Sequence, residues 1–231
     1  MILHKGPELE DLSPCPYLPD RKKQVKYFLA SELDESDISF LLSKGWRKFG
    51  TFFFQPVCPK CRECIPIRIV TDEFKPSKSQ RRNLKRNRDI EVIPGPLKFS
   101  ERAFEIYQDH SLQKFSQKGN LENFILNFYS PSVPGLQSEF YLNGNLIGVG
   151  YLDKGKDCLN SAYFFYDTRF SHLGLGTFSI LKEIEYARNL GLKYYCLGYY
   201  IKACQRMAYK GNFKPREHYD WLQDRWEYVD S

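Results

Sequence analysis

The chain has 231 residues, 42% of them hydrophobic and 27% charged, and carries a net charge of +6. This is the composition of a globular protein with one large core or two small ones. It excludes a membrane-spanning helix, since no apolar run approaches the roughly 18–20 residues required, and a disulfide scaffold, since the seven cysteines are odd in number and partly clustered.

From the N-terminus, MILHKGPELEDLSPC has an acidic patch and no apolar core. No signal peptide is therefore expected, and the expected compartment is the reducing cytoplasm. Prolines at 7, 14, 16 and 19 predict an irregular stretch over residues 1–20, with Cys15 isolated in SPCPYLPD. VKYFLA (25–30) reads as a strand from its β-branched and aromatic content. Asp34 is placed to cap a short helix that has Ile38, Leu41 and Leu42 on one face and Gly45 as its stop. WRKFGTFFFQPV (46–57) predicts a strand or hairpin leading into CPKCREC, and CIPIRIV (64–70) a strand leaving it.

Between Lys75 and Arg88 there is no acidic residue. A helix capped by Ser77 or Ser79 gathers Lys78, Arg81, Arg82 and Lys85 in a stripe about 100° wide, with Arg86 and Arg88 at its margins. Leu84 is the only apolar residue from 77 to 88, so no broad hydrophobic face can hold this helix. A merely solvated helix usually carries acidic partners at i,i+4, and none occurs here. The cationic side is expected to meet a polyanion.

IPGPLKF (93–99) reads as a linker, dividing a cysteine-knuckle and basic-helix domain (1–95) from a second domain (96–231). Helices are predicted over 102–115 and around 121–129. SEFYL, Asn143-Gly144 and LIGVGYL give a hairpin, because Asn-Gly supplies the positive φ angles of a two-residue turn. A strand over 159–167, the loop SHLGLGT, a helix from 175 to 189 ended by Gly191, a buried strand over 193–200 and a short helix within 201–213 follow. The tail is rich in Trp and Tyr.

Thiolates three residues apart can converge on one ion, and Cys15 would complete a tetrahedral set with Cys58, Cys61 and Cys64. Structural zinc, an iron–sulfur cluster and reduced thiols without metal all satisfy this spacing. Cys158, Cys196 and Cys204 sit among apolar neighbours and read as buried small hydrophobes. His4, His110, His172 and His218 have no metal-like spacing, and no nucleotide-binding P-loop, dinucleotide fingerprint or Ser-His-Asp arrangement is present. The C-terminal order of antiparallel strands, glycine loop, helix, strand and helix is similar to the core of GNAT-type acyltransferases. There a loop like Ser171-His172-Leu173-Gly174-Leu175-Gly176 offers backbone N–H groups to a pyrophosphate. The leading residue here is Ser rather than the usual Gln or Arg. The fold class expected is α+β, a GNAT-like core with a mixed sheet flanked by helices and a smaller N-terminal cysteine-containing α/β domain.

CPYLPD, FQPVCPKCRECIPIRI, FKPSKSQRRNLKRN, YFFYD, LGLGTFSILKEIEYA and LGYYIKACQRMAYKGNFKP together resemble the arginyl-tRNA–protein transferase family, in particular its bacterial aspartate/glutamate leucyltransferase branch. The resemblance covers about residues 14 to 226. It implies transfer of leucine from Leu-tRNA to the N-terminal Asp or Glu of proteins, marking them for degradation, with no membrane and no cofactor needed for transfer. In this light Lys78, Arg81, Arg82, Lys85 and Arg86 would contact the phosphates of the acceptor arm. Ser171, His172, Gly174 and Gly176 would form the loop for the aminoacyl ester and ribose. An N-terminal amine has a pKa near 8, so positioning and oxyanion stabilisation matter more than a dedicated base. Tyr166, Tyr199 and Tyr209 are candidate donors to the ester or leaving oxygen. Arg206 and Lys210, one helical turn apart, and Arg68 are candidate partners of the acceptor carboxylate. An arginyl donor would instead need a carboxylate, for which Glu139, Asp153 and Asp167 are candidates. A coenzyme-A-dependent N-acetyltransferase and a non-catalytic zinc-containing RNA-binding protein are the other readings.

Overall fold

The structure, a computed structural model, describes residues 1–130 and 132–229. Pro131 and, at the end of the expected second domain, Asp230 and Ser231 lie outside the described residues. In chain order come β1 (Ile2–Leu9), the two-residue strands β2 (Ser13–Pro14) and β3 (Lys22–Lys23), β4 (Val25–Ser31), α1 (Glu35–Ser43), β5 (Arg47–Phe49) and β6 (Phe52–Pro56). β7 (Ile65–Val70), α2 (Lys78–Arg86), β8 (Ile90–Pro96), α3 (Glu101–Phe115) and α4 (Leu121–Phe128) follow. The remainder is β9 (Gly135–Leu142), β10 (Asn145–Lys154), β11 (Cys158–Tyr166), α5 (Leu175–Asn189), β12 (Tyr194–Tyr200), α6 (Gln205–Ala208), β13 (Arg216–Asp220) and β14 (Arg225–Val229). Single 3-10 segments cover Thr168–Leu173 and Tyr209–Asn212.

Local chemistry sets the ends of these elements. The Asp34 carboxylate accepts from the Ser36 and Asp37 N–H groups, and the Asp37 side chain returns a bond to the cap. Ser77 caps α2 in the same reciprocal way with Gln80. Asn143 and Gly144, at φ 51° and 75°, turn β9 into β10.

β1, β4, β6 and β5 form a four-stranded antiparallel sheet that packs with α1 through Phe28, Ala30, Ile38, Leu42 and Phe53. The larger sheet runs β14-β13-β7-β12-β11-β10-β9-β8; β11 and β12 are parallel and every other pair is antiparallel. α5 covers one face through Ile180, Leu181, Ile184 and Ala187. α3 and α4 cover the other through Ala103, Ile106, Phe124 and Phe128. Between these layers β10 is buried continuously from Leu146 to Asp153, as a strand covered on both faces should be. The result is the expected α+β arrangement, a mixed sheet flanked by helices.

Three stretches differ from expectation. Residues 2–9 are a strand rather than irregular, and β1 tolerates Pro7 because it lies on a sheet edge and slips register between Leu3 and Lys5 and between Lys5 and Glu8. Residues 93–96, read as linker, are the second half of β8, again an edge, where proline removes no ladder bond needed by a neighbour. The aromatic tail is a β-hairpin, β13–β14, added to β7. Its indoles anchor it, Trp221 donating to the Cys64 carbonyl (2.9 Å) and Trp226 to the Ser43 carbonyl (2.8 Å).

Arg68 on β7 joins this hairpin to the sheet. Its guanidinium lies 3.6 Å from the Tyr194 ring centre and 4.2 Å from that of Trp226, and it pairs with Glu217 at 2.5 Å. Both side chains are largely buried, so removing one partner strands the other. Arg68→Ala is expected to destabilise the protein by on the order of 3 kcal/mol in urea unfolding, with the β13–β14 amides losing hydrogen-exchange protection first.

Candidate active site

β11 and β12 pair over only Cys158–Asn160 and Tyr194–Cys196, although both strands continue. Arg47 of β5 enters where they part. One guanidinium nitrogen donates to the Asn160 side-chain oxygen and another to the Ser161 carbonyl (2.7 Å). The same group lies against Gly198, whose φ is +80° and where a Cβ would come within 3.0 Å of the guanidinium. Glycine is thus required there on both counts.

A cleft of about 540 Å³ opens beyond this wedge. Its walls are β11, the start of α5, the end of α3 and the segment from Arg206 to Lys210. Phe115, Phe164, Leu175, Ile180, Leu197 and Met207 make much of the lining apolar. The charged lining residues are Arg47, Lys114, Arg206 and Lys210, and among the described residues no Asp or Glu lines it. α5 begins at Gly174 without a side-chain cap; the Thr177 N–H bonds the Gly174 carbonyl (3.1 Å), which leaves the Leu175 and Gly176 N–H groups at the cleft end of the helix to meet a ligand.

The Lys210 ammonium donates to the Tyr199 carbonyl (3.2 Å). Burial first, and the neighbouring Arg47 charge second, bring its pKa down to about 7. His110 packs edge-on against Tyr166 with ring centres 5.0 Å apart. Burial, then the Lys114 charge, lower it to about 4, so its imidazole is neutral. Tyr209 keeps 37% of its surface exposed, yet loss of solvation raises its hydroxyl to about 12, which keeps it a proton donor.

Of the expected donors, Tyr166 and Tyr209 line the cleft. Tyr199 does not. Its hydroxyl is turned inward to the Gly45 carbonyl (3.1 Å), and a register shift between Cys196 and Gly198 breaks the alternation that would have aimed it elsewhere. Arg206 and Lys210 are both on the cleft wall, whereas Arg68 is consumed by Glu217 outside it. Gly174 and Gly176 reach the cleft. Ser171 and His172 face outward, the Ser171 hydroxyl bonding back to the Thr168 carbonyl. Arg47, Lys114 and His110 were not singled out as cleft residues from the sequence; an arginine in a short strand and two residues on a helix carry no local signal of a common target.

α2 is fastened by carboxamides instead of an apolar face. Gln80 donates to the Asn212 carbonyl (3.1 Å), Asn83 to those of Leu173 (3.1 Å) and Gly174 (3.3 Å), and Asn87 to that of Leu173 (3.0 Å). Arg86 adds a bond to the His172 carbonyl (3.2 Å). Lys78, Arg81, Arg82, Lys85 and Arg86 are all exposed. A second cavity of about 350 Å³ lies beside α2, with Arg82 and Arg86 on its wall, and it shares Thr177 and Tyr209 with the cleft.

The cysteine knuckle is a tight turn in which Cys61 N–H meets the Cys58 carbonyl (3.3 Å) and Arg62 donates to the Cys58 and Cys61 carbonyls (both 2.9 Å). Burial, and then the Cys58, Cys15 and Cys61 thiols, push the Cys64 thiol up to about 12. The Cys58 sulfur is engaged with the Gln24 backbone at 3.4 and 3.5 Å. Among the described residues no three His, Cys, Asp or Glu side chains converge as a metal-binding set. The set has the donor chemistry of a soft-metal site without its convergence.

Lys210 carries a testable linkage. Its folded pKa lies below that of an exposed lysine, so the unfolded chain binds more protons between about pH 7 and 10.5 and stability rises with pH across that window. The cost of its burial is complete below pH 7. Lys210→Met should therefore melt above wild type at pH 6, with the difference narrowing by pH 9 in calorimetry.

The chain matches family models for arginine-tRNA-protein transferase, the N terminus over residues 13–82 and the C terminus over residues 100–220. It is 34% identical over 217 residues to the aspartate/glutamate leucyltransferase of Campylobacter jejuni, covering 90% of each chain. It is 36% identical over 208 residues to the aspartate/glutamate leucyltransferase of Methylobacillus flagellatus, covering 88% of this chain and 84% of that one. Among solved structures, L-PGS from Bacillus licheniformis superposes with a TM-score of 0.47 at 11% identity, covering 76% of this chain and 52% of that one.

Proposed function

The chain belongs to the arginine-tRNA-protein transferase family, and we propose from that membership a division of labour within one enzyme that moves leucine from Leu-tRNA to the N-terminal Asp or Glu of proteins. The modified end marks the protein for degradation, and the cytoplasm, where free thiols persist, is the compartment for it. The observation that carries the assignment of roles is the cleft itself: an apolar wall, four cations and, among the described residues, no carboxylate.

This lining suits leucine and an acidic acceptor together. An arginyl side chain would enter four like charges with no counter-charge. The carboxylates that might have received it are occupied elsewhere. Glu139 accepts from Gln137 and Tyr141 at 3.0 Å each. Asp153 pairs with Lys48 at 3.0 Å. Asp167 is held by Arg169 and Arg102 at 2.6 Å each, which keeps its pKa at about 2. The leucyl side chain lies on Phe115, Phe164, Ile180 and Met207, while the acceptor's Asp or Glu carboxylate meets Arg47, Lys210 and Arg206. A bound carboxylate restores the charge on Lys210 that burial beside Arg47 opposes.

The acceptor arm of the tRNA lies along α2, whose Lys78, Arg81, Arg82, Lys85 and Arg86 supply phosphate contacts without reading bases. Its 3′ end passes from the cavity beside Arg82 and Arg86 into the cleft across their shared Thr177–Tyr209 wall. The acceptor amine attacks the ester carbonyl carbon; a C–N bond forms, the ribose C–O bond breaks and one proton passes from nitrogen to the ribose oxygen. The Leu175 and Gly176 N–H groups at the start of α5 and the Tyr166 and Tyr209 hydroxyls face the developing oxyanion and the leaving oxygen. The parting of β11 from β12 beside a glycine-started helix supports a GNAT-like reading of the core, with residues 1–95 holding the tRNA and lending Arg47 to the cleft, and residues 96–231 supplying the rest of the transfer site. No cofactor enters any step of this scheme.

Purified protein supplied with labelled Leu-tRNA or Arg-tRNA and an Asp-ended peptide is expected to transfer leucine and not arginine. Transfer of arginine alone, or binding of tRNA without transfer, would overturn the assignment. Arg47→Ala should raise the KM for the Asp-ended peptide at least tenfold while leaving Leu-tRNA affinity within about twofold. Arg82→Ala with Arg86→Ala should weaken tRNA binding and lower the slope of log K against log salt by roughly 1.5–2 units, as read by filter binding at several ionic strengths.

A further inference from the structure

Arg47 and Lys48 are consecutive on β5, and each reaches one member of a single cross-strand pair of the large sheet. Asp153 of β10 and Asn160 of β11 stand opposite each other in the ladder. The Lys48 ammonium meets one Asp153 oxygen at 3.0 Å, and the Asn160 amide nitrogen donates to the other at 2.7 Å. The Asn160 oxygen accepts from Arg47, so the side chains form one line, Lys48–Asp153–Asn160–Arg47. Lys48, Asp153 and Asn160 are 9%, 4% and 1% exposed. None of these three lines the cleft; Lys48 and Asp153 border a separate cavity of about 20 Å³, room for roughly one water. Arg47 is the member of the line that reaches the cleft wall.

Chemistry fixes the direction of the amide. A carboxylate only accepts, so the Asn160 nitrogen must face Asp153 and its oxygen must face Arg47. Asn160 is also the last residue of β11 paired with β12, which places this contact at the fork of the two strands. The Ser161 carbonyl (2.7 Å) and the close approach of Gly198 hold the same guanidinium from other sides. Each of these partners is neutral. The carboxylate on the line, Asp153, is matched by Lys48 and separated from Arg47 by the amide. A plain tie between the two sheets would be stronger with a carboxylate at position 160, which would pair with the guanidinium directly. The amide instead orients Arg47 and leaves its charge uncancelled.

We propose that Asn160, oriented by Asp153 and Lys48, is a positioning residue that sets the choice of acceptor: it aims the Arg47 guanidinium into the slot without supplying a counter-charge. A half-buried cation held by neutral oxygens gains most from a ligand that brings the missing charge. The side-chain carboxylate of an N-terminal Asp or Glu brings it, and the isosteric amide of an N-terminal Asn does not. Acceptor selectivity then depends on a neutral side chain at position 160 as much as on a cationic one at position 47. Asn160 touches no substrate and acts wholly through Arg47.

The proposal rests on the placement of the acceptor carboxylate at Arg47 made above, and the test keeps the two apart. kcat/KM is measured with Leu-tRNA and two peptides that differ only in an N-terminal Asp or Asn. The readout is the ratio of the two values, which a smaller folded fraction does not move. Arg47→Ala should collapse this ratio; an unchanged ratio there, or none in wild type, would remove the acceptor site itself and the proposal with it. The exchange of Asn160→Asp together with Asp153→Asn keeps side-chain shape and total charge, and moves the negative charge from Lys48 to Arg47. It is expected to lower the ratio at least about tenfold through the KM of the Asp-ended peptide, with the KM for Leu-tRNA within about threefold. Asn160→Ala, which frees the guanidinium without neutralising it, should raise the KM of the Asp-ended peptide about tenfold while kcat holds. A wild-type ratio in the exchange variant, with the ratio collapsed in Arg47→Ala, would reduce the line to a structural tie. Should the exchange variant fail to fold, Asn160→Ala decides alone: loss confined to the Asp-ended peptide upholds the proposal, and equal loss for both peptides overturns it.

Discussion

Arg47 reaches from the smaller sheet into the gap where β11 leaves β12, and most of the site depends on that contact. A parallel pair of strands that parts after three residues leaves main-chain groups without ladder partners. An unmet buried carbonyl costs as much as a lost hydrogen bond. The guanidinium meets this need at the Ser161 carbonyl, binds the Asn160 side-chain oxygen as well, and at the same time places a positive charge at the end of the slot. One side chain therefore holds the strands apart and sets the sign of the space between them. In the proposed scheme the N-terminal sheet joins the active site through this residue, and β4 and β6 of that sheet pack with α1, β11 and β12 through Phe28, Phe53, Cys158 and Cys196.

In the proposed scheme electrostatics divides the surface between two anionic substrates. A polyanion needs many weak contacts spread along its length, and the exposed row on α2 provides them. A single carboxylate needs a few desolvated donors at one point, and Arg47 with Lys210 provides those. The two cationic regions differ in kind because their solvation differs. The α2 side chains keep their water, whereas Lys210 has lost enough of its own to titrate near neutrality. Charges held close together without counter-ions form a site that is at rest only when occupied.

Features governed by neighbours in sequence were legible in it. The Asp34 and Ser77 caps, the Asn143-Gly144 turn, the strands around the knuckle and the extent of α5 all follow from spacing and backbone preference. Features set by distant pairing were not. β13 and β14 carry no strong turn signal, and their stability comes from Arg68, Tyr194 and the backbone acceptors of the Trp221 and Trp226 indoles, all far away in the chain. Tyr199, a candidate donor by resemblance, turns its hydroxyl to the Gly45 carbonyl on a strand whose register shifts between Cys196 and Gly198, with Arg47 packed against Gly198. Lys210 and Arg206 could be found because one helical turn separates them. Arg47 could not, since its role exists only once β5 meets β11.

The fastening of α2 adds a constraint that composition alone could not suggest. A helix with one apolar residue in nine cannot be held by burial. Its carboxamides are instead bonded to carbonyls at Leu173 and Gly174, the residues from which α5 starts, and at Asn212, next to the Tyr209–Lys210 wall. These bonds leave no slack between the phosphate-facing surface and the two walls of the cleft. In the proposed scheme a tRNA lying along α2 is held in register with the slot by the four hydrogen bonds of these three carboxamides rather than by the general rigidity of the fold. Because such contacts are directional, with each buried carbonyl costly to leave unmet, the helix cannot slide along the loop without losing them together. In that scheme affinity for the polyanion and placement of its esterified end are both set by α2 and its C-cap Asn87.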